Sequence, residues 1–340
     1  MLRIYDSTAA DAARIPVRPG GERPRFSVVL PTFDPDAKLR EAVRSVLAQA
    51  LPPEDMQIAI VDDGSRPGVA RELVRSVDPE GRVELFEFPD RLGLAGNWNR
   101  AITLARGDLV HLLHQDDYVL PGFYAAIDRG FHAAPQAGMA FCRSRIVDGD
   151  GRPIKSSSRL RWMPGLMANW LPRIAERQRI QTPAAVVRRT VYETLGGYRG
   201  DLLQTLDWEM WVRVAANHPV WYEPQPLAVY RRHPHNESAR LAASGAVWPD
   251  VLRAIELIAR TLPAGLRTRT TQASARWHAA SACRAAERLL ARGDVEQAAG
   301  ALEHVPALLR LSGTAAPAGT VLRRLATLRS RIVRAGRRAA

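Results

Sequence analysis

The sequence predicts an α/β fold built on a mostly parallel sheet, and three observations support this prediction. Short apolar runs alternate with helical stretches along the first third of the chain, which is the pattern of βαβ units. Two of these runs lead into paired Asp residues, as buried strands do where they meet a polar turn. The 340 residues are 46% hydrophobic and 24% charged, which is typical of a globular protein.

The early elements alternate regularly and predict right-handed crossovers. Strands are predicted at Phe26–Leu30, Gln57–Val61, Val83–Phe88 and Leu109–Leu113, with helices at Lys38–Gln49 and Asn97–Ala105. Gly64 permits a sharp turn after the second strand, and Ser65 is expected to cap the next helix. Later helices are predicted at Gly122–His132 and Trp208–Asn217, strands at Gly138–Phe141, Ala184–Val187 and Leu227–Tyr230, and a hairpin turn at Asp148–Gly151.

The two ends of the chain differ from its middle. Residues 1–25 are rich in Pro, Gly and Arg and predict a flexible N-terminal arm. Residues 246–340 read as a helical, basic C-terminal extension behind a main domain at 26–245. In the extension, Gly293 and Asp294 predict a helical hairpin, because Gly favours the end of a helix and Asp the start of one. The stretch Val321–Arg338 predicts an amphipathic helix with Leu322, Leu325, Leu328 and Ile332 along one side.

Charge and cysteine usage limit the function classes. The net charge is +13, and the 16 Arg and 5 acidic residues from Val251 to Ala340 place +11 of it in the extension. Three interpretations remain open: a solvated basic face, a contact with nucleic acid, or a contact with an anionic membrane surface. The two distant cysteines fit a reducing cytosol, and no run reaches the roughly 18 apolar residues of a membrane span. We therefore expect a cytoplasmic protein that lacks a signal peptide, with peripheral attachment to the inner membrane face as a hypothesis.

Carboxylates stand at the ends of three predicted elements. They are Asp62 with Asp63, Asp116 with Asp117, and Asp207 with Glu209. The carboxyl ends of parallel strands share one sheet edge, where open α/β sheets bind ligands. There, an Asp can accept a bond from a base N–H, hold a divalent cation on a diphosphate, or take a proton from a hydroxyl. Turn and helix-cap roles are the alternatives, Asp207 in particular as the N-cap of its helix. No glycine-rich phosphate loop is present.

The order of motifs resembles the family 2 glycosyltransferases of the bacterial surface-polysaccharide type, which have the GT-A fold. The matching segments are Val28–Phe33, Ile60–Ser65, Arg91–Ile102, His111–Gly122, Leu195–Tyr198, Leu206–Arg213 and Val229–Ser238. Each segment alone is weak, but together they cover about residues 25–240 in the family's order. The resemblance implies a GT-A domain followed by the helical extension.

The resemblance also implies residue roles. The nucleotide would be held by Pro31, Thr32, Asp62, Asp63 and Asn97, although a structural role is equally open for Asp63. The metal would be held by Asp116 and Asp117, and the diphosphate by Arg213 and His233. Of the metal pair, Asp117 is the favoured direct ligand. Asp207 would act as general base. The family has a Glu before this Asp, and here Leu206 stands in its place, so Glu209 is considered as a fallback base.

The implied reaction is an inverting transfer of a sugar from a nucleotide-diphosphate sugar to an acceptor hydroxyl. The family favours a UDP-linked donor, a Mn²⁺ or Mg²⁺ cofactor and a glycan or lipid-linked acceptor, as in cell-surface polysaccharide or glycolipid synthesis. Two alternatives stay open, a nucleotidyltransferase of related architecture and a non-catalytic nucleotide-sugar-binding relative, which Leu206 favours. A nucleic-acid partner is not expected, because the basic charge lies away from the carboxylates in the sequence.

Overall fold

The computed structural model describes residues 12–233, 241, 247–313 and 318–339. The first eleven residues of the predicted arm and the last five of the 229–238 motif lie outside the described residues, as does the predicted domain boundary at 245/246. The same holds for the side chain of Leu322 in the predicted apolar stripe of the last helix.

A ten-stranded mixed sheet forms the centre of the molecule, in the order β3-β2-β1-β4-β9-β6-β10-β5, with β7 beside β6 and β8 beside β10. The strands are β1 (Phe26–Thr32), β2 (Met56–Asp63), β3 (Glu84–Phe88), β4 (Leu109–Leu112), β5 (Tyr118–Val119), β6 (Met139–Val147), β7 (Pro153–Ser156), β8 (Gly165–Leu166), β9 (Ala185–Arg188) and β10 (Val220–Arg231). Strands β1 to β4 pair in parallel, whereas β9 is antiparallel to both β4 and β6. The carboxyl ends of β1, β2, β4, β6 and β10 therefore reach one edge of the sheet.

Helices cover both faces of this sheet. They are α1 (Ala37–Leu47), α2 (Val69–Val77), α3 (Gly93–Leu104), α4 (Phe123–Ala133), α5 (Trp170–Glu176), α6 (Arg189–Leu195), α7 (Leu206–Asn217), α8 (Val247–Thr261), α9 (Ala264–Leu290), α10 (Val295–Glu303), α11 (Val305–Leu311) and α12 (Ala318–Ala339). One core contains α1, α2 and α4, and the other contains α3, α5 to α7 and the C-terminal helices. Coverage on both faces explains why β1 and β2 are buried along their whole length. The predicted α/β class with a helical extension is confirmed.

Three local predictions differ from the structure. Strand β10 is much longer than the predicted Leu227–Tyr230, because Pro224 and Pro226 lie at register shifts that the pairing with β6 accommodates. Helix α3 begins at Gly93, four residues before the predicted start. Ser65 caps no helix, since the side chain bonds Asp62 and α2 has no side-chain cap.

The described part of the N-terminal segment is docked rather than loose. Ala12 bridges to Arg199, and the Ala13 carbonyl accepts a bond of 2.7 Å from the Gly197 amide. Ile15 is 3% exposed in the core beside α3 and α6. The prediction of a flexible arm is therefore wrong for residues 12–25, where burial of one apolar side chain and backbone bonds hold the segment.

The C-terminal helices share a core with the sheet. The His278 ring on α9 lies 5.0 Å from the Trp208 ring on α7, and the Trp208 indole donates to the Ile174 carbonyl at 2.6 Å. The predicted hairpin between α9 and α10 is present, with Gly293 at φ +85°, although the Asp294 side chain makes no capping bond. These contacts help to fix the position of α7, the helix that carries Asp207.

The last helix, α12, packs its apolar side against the rest of the protein. Leu325 and Leu328 on α12 are 6% and 1% exposed, and the Arg324 guanidinium pairs with Glu287 on α9. The predicted amphipathic helix is confirmed, but the described part of its apolar stripe is covered and is not available for insertion into a bilayer. Within the described residues, no helix is long and apolar enough to cross a membrane.

Candidate active site

The ends of β1 and β2 form the first part of the site. Thr32 lies opposite Asp62 in the strand register, and both side chains are buried. The Asp62 carboxylate accepts bonds from the Ser65 amide, at 3.1 Å, and from the Ser65 hydroxyl. Burial raises the pKa of Asp62, although the bonds from Ser65 oppose that rise. Gly64 makes this turn possible with φ +77°, and a Cβ there would lie 3.1 Å from the Pro89 carbonyl oxygen.

Asp63 faces away from this turn. Its oxygens accept bonds from the amides of Leu92 and Gly93 at 2.9 and 2.8 Å, and Arg100 lies 3.3 Å away. Asp63 points away from Asp62 because successive residues of a strand point to opposite faces. Its hydrogen bonds hold the start of α3 in place. Of the two roles considered for Asp63, nucleotide contact and structural support, these contacts favour structural support, since both oxygens are engaged and the side chain is 3% exposed.

Asn97 on α3 connects the two strand ends. Its amide nitrogen donates to the Val61 carbonyl at 3.0 Å and lies 3.5 Å from the Thr32 carbonyl. Its Oδ1 is buried and has no hydrogen-bond partner among the described residues. Since a buried polar atom without a partner is costly, this oxygen is available to a ligand beside Pro31 and Thr32.

Asp116 and Asp117 follow β4 and differ sharply in environment. The Asp117 oxygens accept from the Arg231 amide at 2.9 Å and contact His114 Nδ1 at 3.2 Å, with the side chain 2% exposed. Burial raises the pKa of Asp117. Asp116 is 21% exposed and lies 3.1 Å from His233 Nε2. The structure therefore favours Asp116 over Asp117 as the residue that would hold a metal, because Asp116 presents the accessible oxygen. The expectation that Asp117 is the direct ligand stays a prediction.

The donor set at Asp116 fits a hard divalent cation that also binds substrate. No group of three or more His, Cys, Asp or Glu side chains in the described parts of the chain could hold a metal. Mg²⁺ characteristically uses one or two carboxylates and completes its shell with phosphate oxygens and water. Asp116 supplies one such carboxylate, and its accessible oxygen lies 3.1 Å from His233 Nε2.

Asp207 begins helix α7 and is the candidate base. Its oxygens accept bonds from the Trp208 amide at 2.6 Å and the Thr182 hydroxyl at 3.2 Å. Burial raises the pKa of Asp207 to about 6, against the lowering effect of these two bonds. A carboxylate with a pKa near neutrality is suited to general-base catalysis. The alternative that Asp207 is the N-cap of this helix is wrong, since Thr205 occupies the N-cap and Asp207 lies in the first turn.

His114 connects the two carboxylate sites, and we assigned it no role from the sequence. Its ring stacks on Trp98 at 4.7 Å, and Trp98 contacts Tyr198 at 4.9 Å. His114 contacts Asp117 directly, and its charge also lowers the pKa of Asp207. Asp117 and Asp207 therefore flank one buried aromatic cluster. The sequence feature that could have indicated this role is the position of His114, two residues before Asp116.

Glu209 and Arg213 form a buried ion pair within α7. The Arg213 guanidinium lies 2.9 Å from a Glu209 oxygen, and the two side chains are 0% and 1% exposed. Arg213 also donates to the carbonyls of Leu195 and Gly197 at 2.6 and 2.7 Å. The predictions that Glu209 is a fallback base and that Arg213 contacts the diphosphate are wrong, because neither side chain is accessible. Together they hold the Gly196-Gly197 turn against α7.

Comparison with known proteins identifies relatives of this chain. The family model described as Glycosyl transferase family 2 matches residues 27–196. An uncharacterised protein of Mycobacterium tuberculosis is 31% identical over 233 residues, which cover 65% of this chain and 72% of that protein. The O-antigen biosynthesis protein RfbC of Myxococcus xanthus is 26% identical over 66% of this chain, but the match spans only 17% of RfbC.

Solved structures share the fold at low identity. TarS residues 1–349 of S. aureus, in complex with UDP-GlcNAc, superposes with a TM-score of 0.62 at 15% identity, covering 92% of this chain and 89% of that one. The mannosyltransferase PcManGT of Pyrobaculum calidifontis, in complex with GDP-Man and Mn²⁺, gives a TM-score of 0.56 at 19% identity, covering 96% and 88%. These likenesses agree with a GT-A architecture. The family match extends over half of the chain and includes both Asp62 and Asp116, and the chain belongs to glycosyl transferase family 2.

Proposed function

We propose that this glycosyltransferase moves a sugar from a UDP-linked donor to an acceptor hydroxyl with inversion, in the synthesis of a cell-surface polysaccharide or glycolipid. The observation that carries the proposal is the pKa of Asp207, which burial raises to about 6 beside the cluster that also holds Asp117. The UDP-GlcNAc bound to TarS and the name of RfbC support the choice of donor and of product class.

The proposed roles follow from the contacts. The nucleotide would lie against Pro31, Thr32 and Asp62, with Asn97 Oδ1 accepting one of its hydrogen bonds. Asp207 would take the proton of the acceptor hydroxyl as that oxygen attacks the sugar in a single displacement. Because the reacting groups are held in place, no covalent sugar–enzyme intermediate is needed.

A divalent cation is part of this proposal. Asp116 would hold Mn²⁺ or Mg²⁺ with His233 beside it, and the ion would neutralise charge on the diphosphate leaving group when bound. His114 Nε2, which is buried and has no partner among the described residues, would form a hydrogen bond with a sugar hydroxyl. The neighbouring carboxylate of Asp117 orients that ring through Nδ1.

We expect Asp116→Asn to weaken metal-dependent donor binding at least tenfold, since it removes the accessible anionic oxygen. The measurement is calorimetric titration of nucleotide sugars with and without MnCl₂. Asp128→Asn, on α4 in a surface pair with Arg25, is the matched control and should leave binding unchanged. If the wild-type protein binds the donor with the same affinity with and without Mn²⁺, the proposed role of the metal is contradicted.

Contact with an anionic membrane surface is proposed through the outer face of α12, where Arg323, Arg329, Arg331 and Arg334 are exposed. Each such charge near an anionic surface is worth about 1 kcal/mol. We expect co-sedimentation with phosphatidylglycerol vesicles but not with phosphatidylcholine vesicles, and loss of binding when these four residues become Gln. Substitution is preferable to deletion, because Leu325 and Leu328 are part of the core. Equal sedimentation of wild type and variant would contradict the proposal.

A further inference from the structure

A groove of about 310 Å³ lies on the sheet beside the candidate active site. Its lining, which we call the β5–β7 groove, includes Tyr118, Arg145, Val147, Lys155, Ser156 and Val229. Tyr118, Val229, Arg145 and Ser156 are directly opposite one another across four neighbouring strands. Side chains at such positions share one face of a sheet, at a spacing of about 4.8 Å per strand. The groove floor is therefore a continuous row across the sheet.

The groove lies next to the carboxylate pair Asp116 and Asp117. Tyr118 follows Asp117 directly in the chain. The Arg231 guanidinium lies 5.6 Å from the Tyr118 ring centre and donates to the Asp116 carbonyl at 3.1 Å. Strand β5 is at one end of the sheet order, whereas β2, which carries Asp62, lies toward the other. The proposed nucleotide position and the groove would therefore lie on opposite sides of Asp116, which leaves the groove for the second substrate.

The charges of the groove favour an anion. Arg145 and Lys155 are exposed, and no carboxylate of a described residue lies within ion-pair distance of either one. The nearby Glu41 is paired with Arg231, so its charge is already compensated. Two cations without anionic partners at one concave surface attract a phosphate or a carboxylate.

The remaining lining favours a sugar ring. Tyr118 provides an aromatic face, Ser156 a hydroxyl, and Val147 and Val229 an apolar floor. A volume of about 310 Å³ lies at the small end of ligand pockets, which suits one or two sugar units. We propose that the β5–β7 groove binds an acidic sugar unit of the acceptor, one that carries a phosphate or a carboxylate. This inference rests on the proposed transferase function.

The test is direct binding of ligands to the 340-residue chain, without turnover. Glucose 6-phosphate and glucuronate are titrated by saturation-transfer NMR, with methyl α-glucoside and inorganic phosphate as comparison ligands. Both acidic sugars should bind, and both comparison ligands should bind at least tenfold more weakly. The double variant Arg145→Gln/Lys155→Gln should lose at least tenfold in affinity. Arg329→Gln/Arg331→Gln, which removes the same charge from α12, should not.

Several outcomes would overturn the inference. Equal binding by the groove variant and wild type would place the ligand elsewhere, and equal binding of inorganic phosphate would reduce the groove to an unspecific anion site. Loss of sugar binding when UDP is added would place the ligand in the donor site. Release of UDP from UDP-sugars is measured separately on the same samples. Its absence would count against the proposed function and leave the binding result intact.

Discussion

Asp207→Asn is expected to lower the rate of sugar transfer by about 10²–10⁴-fold, the usual contribution of a general base. Donor binding should be unchanged, because Asn keeps the shape of the side chain and its bond from Thr182. The measurements are transfer kinetics and calorimetric titration of the donor. Retention of near wild-type transfer would remove Asp207 from the mechanism.

The same residue should control the pH dependence of transfer. Because the pKa of Asp207 is about 6, the base is protonated in acid, and the rate should fall as the pH drops below about 6. Thr182→Val removes a hydrogen bond that lowers this pKa, so the acidic limb of the profile should move to higher pH.

Stability gives an independent check on Asp207. A carboxyl whose pKa is higher in the folded state than its ordinary 3.8 stabilises the protein below that ordinary value, and this contribution is lost as the pH rises through about 6. At pH 7 the ionised Asp207 therefore costs stability. We expect Asp207→Asn to raise the free energy of unfolding by about 1–3 kcal/mol. A large decrease would mean that the carboxylate is structural.

Glu209→Gln is expected to affect stability in the opposite direction to Asp207→Asn, lowering the free energy of unfolding by about 3–5 kcal/mol. The substitution leaves the Arg213 guanidinium buried without its anionic partner, and both side chains are at most 1% exposed. Denaturant unfolding followed by circular dichroism measures the change. Transfer per folded molecule should fall much less than in Asp207→Asn.

A surface pair provides the control for this comparison. Glu87→Gln breaks the pair with Arg71, whose side chains are 30% and 59% exposed, and should change stability by less than about 1 kcal/mol. If Glu209→Gln abolishes transfer while unfolding as wild type does, then Glu209, and not Asp207, is the base.

Much of the architecture could be predicted from the sequence because its signals are local. Apolar runs ending in Asp gave β2 and β4, and the Asp148–Gly151 turn correctly predicted the β6–β7 hairpin. The register shifts that admit Pro224 and Pro226 into β10 depend on pairing with β6, so that strand was predicted too short. Docking of Ile15 depends on residues far along the chain in the same way.

The roles of the carboxylates depended on distant contacts. Asp62 and Asp63 are adjacent in sequence, yet one lines a turn at the sheet edge and the other holds the start of α3. Asp116 and Asp117 likewise differ in burial: Asp117 is enclosed by His114 and Arg231, whereas Asp116 is partly exposed. No local pattern distinguishes these neighbours, because Asp63 and Asp117 are engaged by Leu92 and Arg231, which lie far along the chain.

The amino-acid sequence by itself determined the order of strands and helices, the family, and the sheet edge at which the acidic side chains collect. These properties follow from residue periodicity and turn chemistry, which act over a few residues. Only the tertiary structure decided which acids remain accessible, that Glu209 and Arg213 neutralise each other in the interior, and that α12 packs its Leu residues inward. Burial and charge pairing set those outcomes, and both are properties of residues brought together by folding.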